Sequence, residues 1–172
     1  MLAAVEAVGA DVAVAGLALA DLGGLKGRGE RHVIPIEGGE VLLIDESYNA
    51  NPASMAATLK SLGEERDIER RIAVLGPMRE LGEHGAALHA GLAPAVRDAH
   101  VDCLILIGDE MKPLAEKLVG SIPLDLVSSV EEATATLRGT VRPGDAVLVK
   151  ASNSVGLAKL VESMAKEPAC ST

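Results

Sequence analysis

Aromatic residues are almost absent from this chain: 172 residues include no Trp, no Phe and a single Tyr. The core must therefore be built from Ala, Val, Leu and Ile, and 48% apolar content supplies enough of them for a sizeable domain. Basic excess is lacking too. A net charge of −9 excludes a general nucleic-acid binder, which needs a basic face, although local basic spots can hold phosphates. Cysteine is scarce, with Cys103 in an apolar strand-like run and Cys170 in the tail. That spacing suits neither a zinc site nor a disulfide framework and predicts a reducing, cytoplasmic setting. No apolar run approaches the ~20 residues of a membrane span, and no basic segment with a cleavage site opens the chain, so neither membrane nor export is expected. Gly-Lys occurs nowhere, which excludes a phosphate-cradling P-loop; a G-x-S-x-G elbow and an H-E-x-x-H pair are also missing.

What is present is a regular alternation. Residues 2–22 read as two short Ala-rich helices, followed by a glycine-rich, basic linker, Gly23 to Arg31. Gly27 and Gly29 begin a G-x-G-x-x-G pattern, but His32 stands in the last glycine's place, so a dinucleotide fingerprint is excluded. Strands over 32–37 and 40–44 flank a Gly38-Gly39 hairpin turn. Helices are then expected over 52–65, 83–99, 109–119, 129–139 and 156–166, with strands over 71–76, 101–108, 124–128 and 146–151 between them. Such alternation predicts an α/β fold: a Rossmann-like, mainly parallel sheet with helices on both faces, preceded by a short helical segment. Residues 168–172 are expected to fray.

In a parallel sheet the loops after the strands converge on one edge, where ligands bind. Here that edge gathers Asp45 to Asn51, Pro77 to Gly82, Gly108-Asp109-Glu110 and Ser152-Asn153-Ser154, together with Arg79 and Lys150. The first loop, Asp45-Glu46-Ser47-Tyr48-Asn49-Ala50-Asn51-Pro52, has little to do with core building. Pro52 fits the first position of a helix and Asn51 its N-cap. Tyr48 reads as a stacking plate or hydroxyl donor; the alternative is an ordinary tight turn. Adjacent carboxylates point oppositely at a strand end, so only one of Asp45 and Glu46 is expected to face a ligand. His84 and His89 are five apart and share no helical face, which argues for surface or satisfied residues rather than metal ligands. A flexible linker carrying Lys26, Arg28 and Arg31 suits a hinge that lays a guanidinium on phosphate.

Asp-Glu-Ser-Tyr-Asn-Ala-Asn-Pro resembles the motif that opens the C-terminal domain in the Mur ligase family, in its D-alanyl-D-alanine-adding branch. Lys26-Gly27-Arg28, Val74 to Gly82 and Val147 to Ser152 agree with it in the same order. The resemblance implies a ligase of peptidoglycan synthesis that uses ATP with Mg2+ to phosphorylate a carboxylate, which an incoming amine then attacks. It implies that residues 1–30 are the tail of the central ATPase domain and a linker, and 31–167 the C-terminal domain. The P-loop and Mg2+ ligands belong to that central domain, so this chain alone should fold but be catalytically silent. The partners implied are D-alanyl-D-alanine, UDP-N-acetylmuramoyl-tripeptide and the central domain itself. Carried over residue by residue, Arg28, Asp45, Tyr48 and Asn49 are nucleotide-binding, with Asp45 on the ribose. Asn51, Arg79, Ser152 and Asn153 fall where the dipeptide would be held. Two positions depart from the pattern: Pro77 stands in place of an aspartate, and Ala151-Ser152-Asn153 in place of Gly-Ser-Arg. The alternatives are a stand-alone small-molecule module on the same fold, or a sibling ligase adding another amino acid.

Overall fold

The computed structural model describes residues 26–166. The helices expected over 2–22, the end expected to fray and Cys170 lie outside the described residues. Six strands form one sheet: β1 (Glu30–Ile36), β2 (Gly39–Glu46), β3 (Arg70–Leu75), β4 (Cys103–Ile107), β5 (Leu124–Val127) and β6 (Asp145–Lys150). Their order is β1-β2-β6-β3-β4-β5. Only β1 is antiparallel, paired with β2 through the hairpin at Gly38. All other pairings are parallel. The helices are α1 (Pro52–Glu64), α2 (Gly85–Ala90), α3 (Ala93–Asp98), α4 (Lys112–Leu118), α5 (Val130–Thr140) and α6 (Ala158–Lys166).

The side-chain pleat of each strand divides the core into two layers. Ile44, Ala73, Leu75, Leu104, Leu106 and Leu148 pack with the apolar faces of α1, α3 and α4. Their neighbours Leu43, Ile72, Val74, Ile105, Val147 and Val149 pack with α5 and α6. Both faces of the central strands are covered, so their sequences are continuous apolar runs instead of alternating ones.

One expected helix differs. The stretch 83–99 is a 3-10 turn at Gly82–His84 followed by two helices, α2 and α3. Pro94 has no N–H to give the Ala90 carbonyl, and Gly91 caps α2 just before it, so a continuous helix cannot pass. The helix expected over 109–119 likewise begins as a 3-10 turn, Asp109–Met111.

The strand order fixes where a site can form. The loops after β2 and β3 lead to the α1 side of the sheet, and the loop after β6, which lies between them, leads to the α6 side. The chain therefore diverges at the carboxyl ends of β2, β6 and β3, leaving a crevice of the kind where α/β sheets take their ligands.

Candidate functional site

The β2–α1 loop is locally over-determined. Asp45 Oδ1 accepts a hydrogen bond from the Ser47 amide at 2.9 Å. Asn51 Oδ1 accepts from the Ser54 amide at 2.8 Å while Ser54 Oγ accepts from the Asn51 amide at 3.1 Å, a reciprocal cap that starts α1 at Pro52. The linker lies alongside instead of swinging free: the Tyr48 amide donates to the Gly27 carbonyl and the Gly29 amide to the Asp45 carbonyl. Lys26 reaches Glu162 of α6 at 2.8 Å. Gly27 permits this approach, with a φ of +71° and a position where a Cβ would stand 3.0 Å from Tyr48. Arg28 is thereby laid over the Tyr48 ring, 4.3 Å from its centre. Tyr48 remains 47% exposed, which leaves the ring accessible.

Asp45 is only 1% exposed and shares the Leu43 side of the pleat, beneath α6. Glu46 shares the opposite side with Lys150, its Cα partner in β6. Asp45, expected to face a ligand, is buried in this chain, and Glu46 lies on the other side of the pleat beside Lys150. Lys150 is 2% exposed. Its Nζ donates to the Asn49 carbonyl at 2.8 Å and lies 3.5 Å from Glu46. Burial pulls the Lys150 ammonium below its ordinary range, with Glu46 opposing that effect and Arg28 adding to it.

The loop after β3 packs against the loop after β6. Gly76 is required there, since a Cβ would meet Ala151 Cβ at 2.8 Å. Ser152 Oγ accepts from the Arg79 amide at 2.9 Å, and the Ser152 amide donates to Pro77. From below, buried His89 accepts the Met78 amide proton at Nε2 (2.9 Å) and donates from Nδ1 to the Gly85 carbonyl (2.8 Å). Burial lowers its pKa from the usual histidine value, which keeps the imidazole neutral and the acceptor available. Glu80 adopts a left-handed φ of 62°, a conformation uncommon for glutamate. The Arg79 guanidinium pairs with Glu110, whose carboxyl is held below its usual range first by its own backbone amide and then by Arg79.

Asn51, Arg79, Ser152 and Asn153, drawn from three loops, line one cleft of about 430 Å³ together with Asn49 and Glu80. Arg28 and Tyr48 lie beside it as a separate unit, and Asp45 lies beneath. Sequence reasoning placed Lys150 and Glu110 on this edge without a role, and did not assign His89 one. For Lys150 the signal was available, as a lone cation ending an apolar strand. Among the described residues, Glu30, His32 and Asp45 bring ligand-type atoms within 4.8 Å of one another. An imidazole in that set does not fit Mg2+, which takes oxygen ligands.

The family described as the Mur ligase, glutamate ligase domain matches residues 27–153, well over half of the chain. The chain belongs to the Mur ligase family. It is 35% identical over 145 residues to the UDP-N-acetylmuramoyl-tripeptide–D-alanyl-D-alanine ligase of Synechocystis sp., covering 83% of this chain and 31% of that protein. The ligase of the same name from Mycobacterium tuberculosis is 33% identical over 161 residues, covering 81% and 32%. Among solved structures, the MurF ligase of Thermotoga maritima in complex with ADP superposes with a TM-score of 0.75. That alignment has 27% identity and covers 96% of this chain and 36% of that one. This Mur ligase domain spans about a third of the length of these relatives.

Proposed function

We propose that this chain is the C-terminal domain, approximately residues 31–167 behind a linker, of the ATP-dependent ligase that adds D-alanyl-D-alanine to UDP-N-acetylmuramoyl-tripeptide. The single observation that carries the reading is the cleft. Four polar residues from three loops converge at the switch point of the sheet, next to an exposed Arg28–Tyr48 plate. A small zwitterion suits the cleft, where the Arg79 guanidinium would take its carboxylate in place of Glu110. Asn51 and Asn153 would add carboxamide contacts. Ser152 acts through the Arg79 backbone, fixing where the guanidinium starts. The plate suits a nucleotide base, with Arg28 within reach of phosphate and Asn49 between the two sites. Asp45 orders this loop from beneath, which leaves Glu46 as the carboxylate closest to a ribose. ATP supplies the phosphoryl group that activates the tripeptide carboxylate, and the P-loop and Mg2+ ligands fall to the central ATPase domain. This domain's contribution is to hold the dipeptide with its amine turned toward that acyl group. The relatives that carry this activity by name match most of the chain.

The test is made in a complete ligase carrying this domain. Arg79→Ala removes a charge-assisted hydrogen bond of ~1.5–3 kcal/mol, so the KM for D-alanyl-D-alanine should rise roughly tenfold or more while the KM for ATP stays nearly constant. Ser152→Ala should move the same constant by less. ATP impaired with the dipeptide spared would overturn the assignment. The purified 172-residue chain, without a P-loop, is expected to show no ATP turnover.

A further inference from the structure

Lys150 is the most deeply buried cation among the described residues, at 2% exposure, and it ends a strand whose other residues are all buried. Taking an ammonium out of water is costly, and an apolar residue of similar length would fill the position at no such cost. Its place needs a reason, and the geometry supplies one. The Nζ points up from the end of β6 into the β2–α1 loop and donates to the Asn49 carbonyl at 2.8 Å. The other restraints on that loop act on its amides, the one from Gly27 on Tyr48 itself. Asp45 holds the Ser47 amide, the Asn49 carboxamide holds the Ala50 amide, and Gly27 holds the Tyr48 amide. Among the described residues nothing but Lys150 bonds the Asn49 carbonyl. That carbonyl belongs to the peptide immediately after Tyr48–Asn49, so it holds the carboxyl side of the backbone that carries the ring, while Gly27 holds the amide side.

We propose that Lys150 is a positioning residue for the nucleotide plate: through the Asn49 carbonyl it fixes the height and tilt of Tyr48, and with it the Arg28 guanidinium. Glu46, 3.5 Å from the same Nζ, keeps the buried charge compensated without competing for the carbonyl. The proposal rests on the nucleotide reading of Arg28 and Tyr48 and is separable from it by experiment. Without Lys150 the Asn49 carbonyl turns to water, the ring loses its fixed pose, and the base finds a plate that must be reordered on binding.

The experiment compares Lys150→Met, Lys150→Arg, Tyr48→Ala and the Lys150→Met/Tyr48→Ala double variant in a complete ligase. Lys150→Met should raise the KM for ATP roughly tenfold, the worth of one charge-assisted hydrogen bond. The kcat and the KM for D-alanyl-D-alanine should change by less than about twofold, which a general loss of structure would not spare. Lys150→Arg should recover part of the loss, since it keeps a donor at the same height. The double variant should be no worse than Tyr48→Ala alone, because Lys150 acts through the ring. In the isolated chain, the emission of the lone tyrosine reports the pose directly. Lys150→Met should increase its quenching by acrylamide at a temperature well below unfolding, and this reading holds even if the full enzyme is too unstable to assay. A raised ATP KM in Tyr48→Ala with none in Lys150→Met overturns the proposal and leaves the nucleotide reading standing. No effect of Tyr48→Ala on ATP overturns the nucleotide reading, and the proposal with it.

Discussion

At the amino end of the sheet, Arg70 grips Asp145 through Nε and an Nη, at 3.0 and 2.7 Å, and donates to the last carbonyl of α5. Beside it Arg71 donates to the Leu62 and Glu65 carbonyls at the end of α1. At the carboxyl end the arginines do neither. Arg28 lies over a half-exposed ring, and Arg79, at the rim of an open cleft, holds a single half-exposed carboxylate. The same residue type therefore closes helix ends on one side and is kept available on the other. Charges with their bonding capacity filled by the fold contribute to stability. Those held by one weak, screened partner contribute little to it and are free to change partner. The polar groups that do carry structure at the carboxyl end are the ones beneath the loops: Lys150, His89 and Ser152.

The comparison breaks first if the amino end proves dispensable. Asp145 is buried and takes both Arg70 donors as well as the Arg142 amide at 2.7 Å. Asp145→Ala removes the acceptor of a partly exposed guanidinium and of the Arg142 amide, a loss of about 1.5–3 kcal/mol. Chemical denaturation of the isolated chain should show this as a lower midpoint with an unchanged slope. Ligand constants in a complete enzyme should stay close to wild type in the fraction that remains folded. A loss below about 1 kcal/mol would place the two ends on the same footing.

The second test uses pH, and it acts on the carboxyl end. Burial depresses the His89 pKa below its unfolded value near 6.5. The stability that neutral His89 contributes is therefore fully present above about pH 6.5, and it is lost as pH falls through the depressed folded value. Protonation places an N–H against the Met78 amide and removes the prop under the Arg79 loop. The thermal midpoint should decline between pH 7 and 5, and the decline should be shallower in His89→Gln, whose side-chain oxygen accepts without titrating. Equal slopes in both proteins would remove His89 from the account.

Most of the fold was legible because it follows from apolar spacing: every expected strand is found, and the hairpin turns at Gly38. The split at Gly91 and Pro94 was written in the sequence but outweighed there by the apolar pattern on either side. The site was legible to the level of loops, since strand ends must converge on one edge. Which of two adjacent carboxylates is buried was not, because it depends on the register that turns Asp45 toward α6 and Glu46 toward Lys150. The docking of the linker was hidden for a similar reason. Glycines and basic residues suggest a free hinge, and only the pairing of Gly27 with Tyr48 shows the segment bound to the domain. The supports beneath the loops come from residues 11 to 101 positions away, contacts that no local pattern encodes.

The smallest effect is expected at Glu80, and it sharpens the comparison most. Among the described residues, three other than glycine have left-handed backbones: Asp67, Glu80 and His100. Asp and His adopt that region more readily than most residues, and Asp67 and His100 lie just ahead of β3 and β4, at the amino end. Glu80 is not of that kind, and it lines the cleft next to Arg79. Strain of this sort, about 1 kcal/mol for a single residue, persists where the surroundings enforce it and is concentrated at ligand sites. Glu80→Gly relieves the native strain but enlarges the unfolded ensemble, which offsets part of the gain. The midpoint should therefore rise slightly or hold, by no more than about 0.5 kcal/mol. The same variant frees the backbone that aims Arg79, so the KM for D-alanyl-D-alanine should rise several-fold in the complete ligase while the KM for ATP does not. Asp67→Gly, as the amino-end control, should leave both constants alone. Destabilisation of the chain by more than about 1 kcal/mol in Glu80→Gly would show that the Glu80 side chain, and not its backbone, is what the cleft uses.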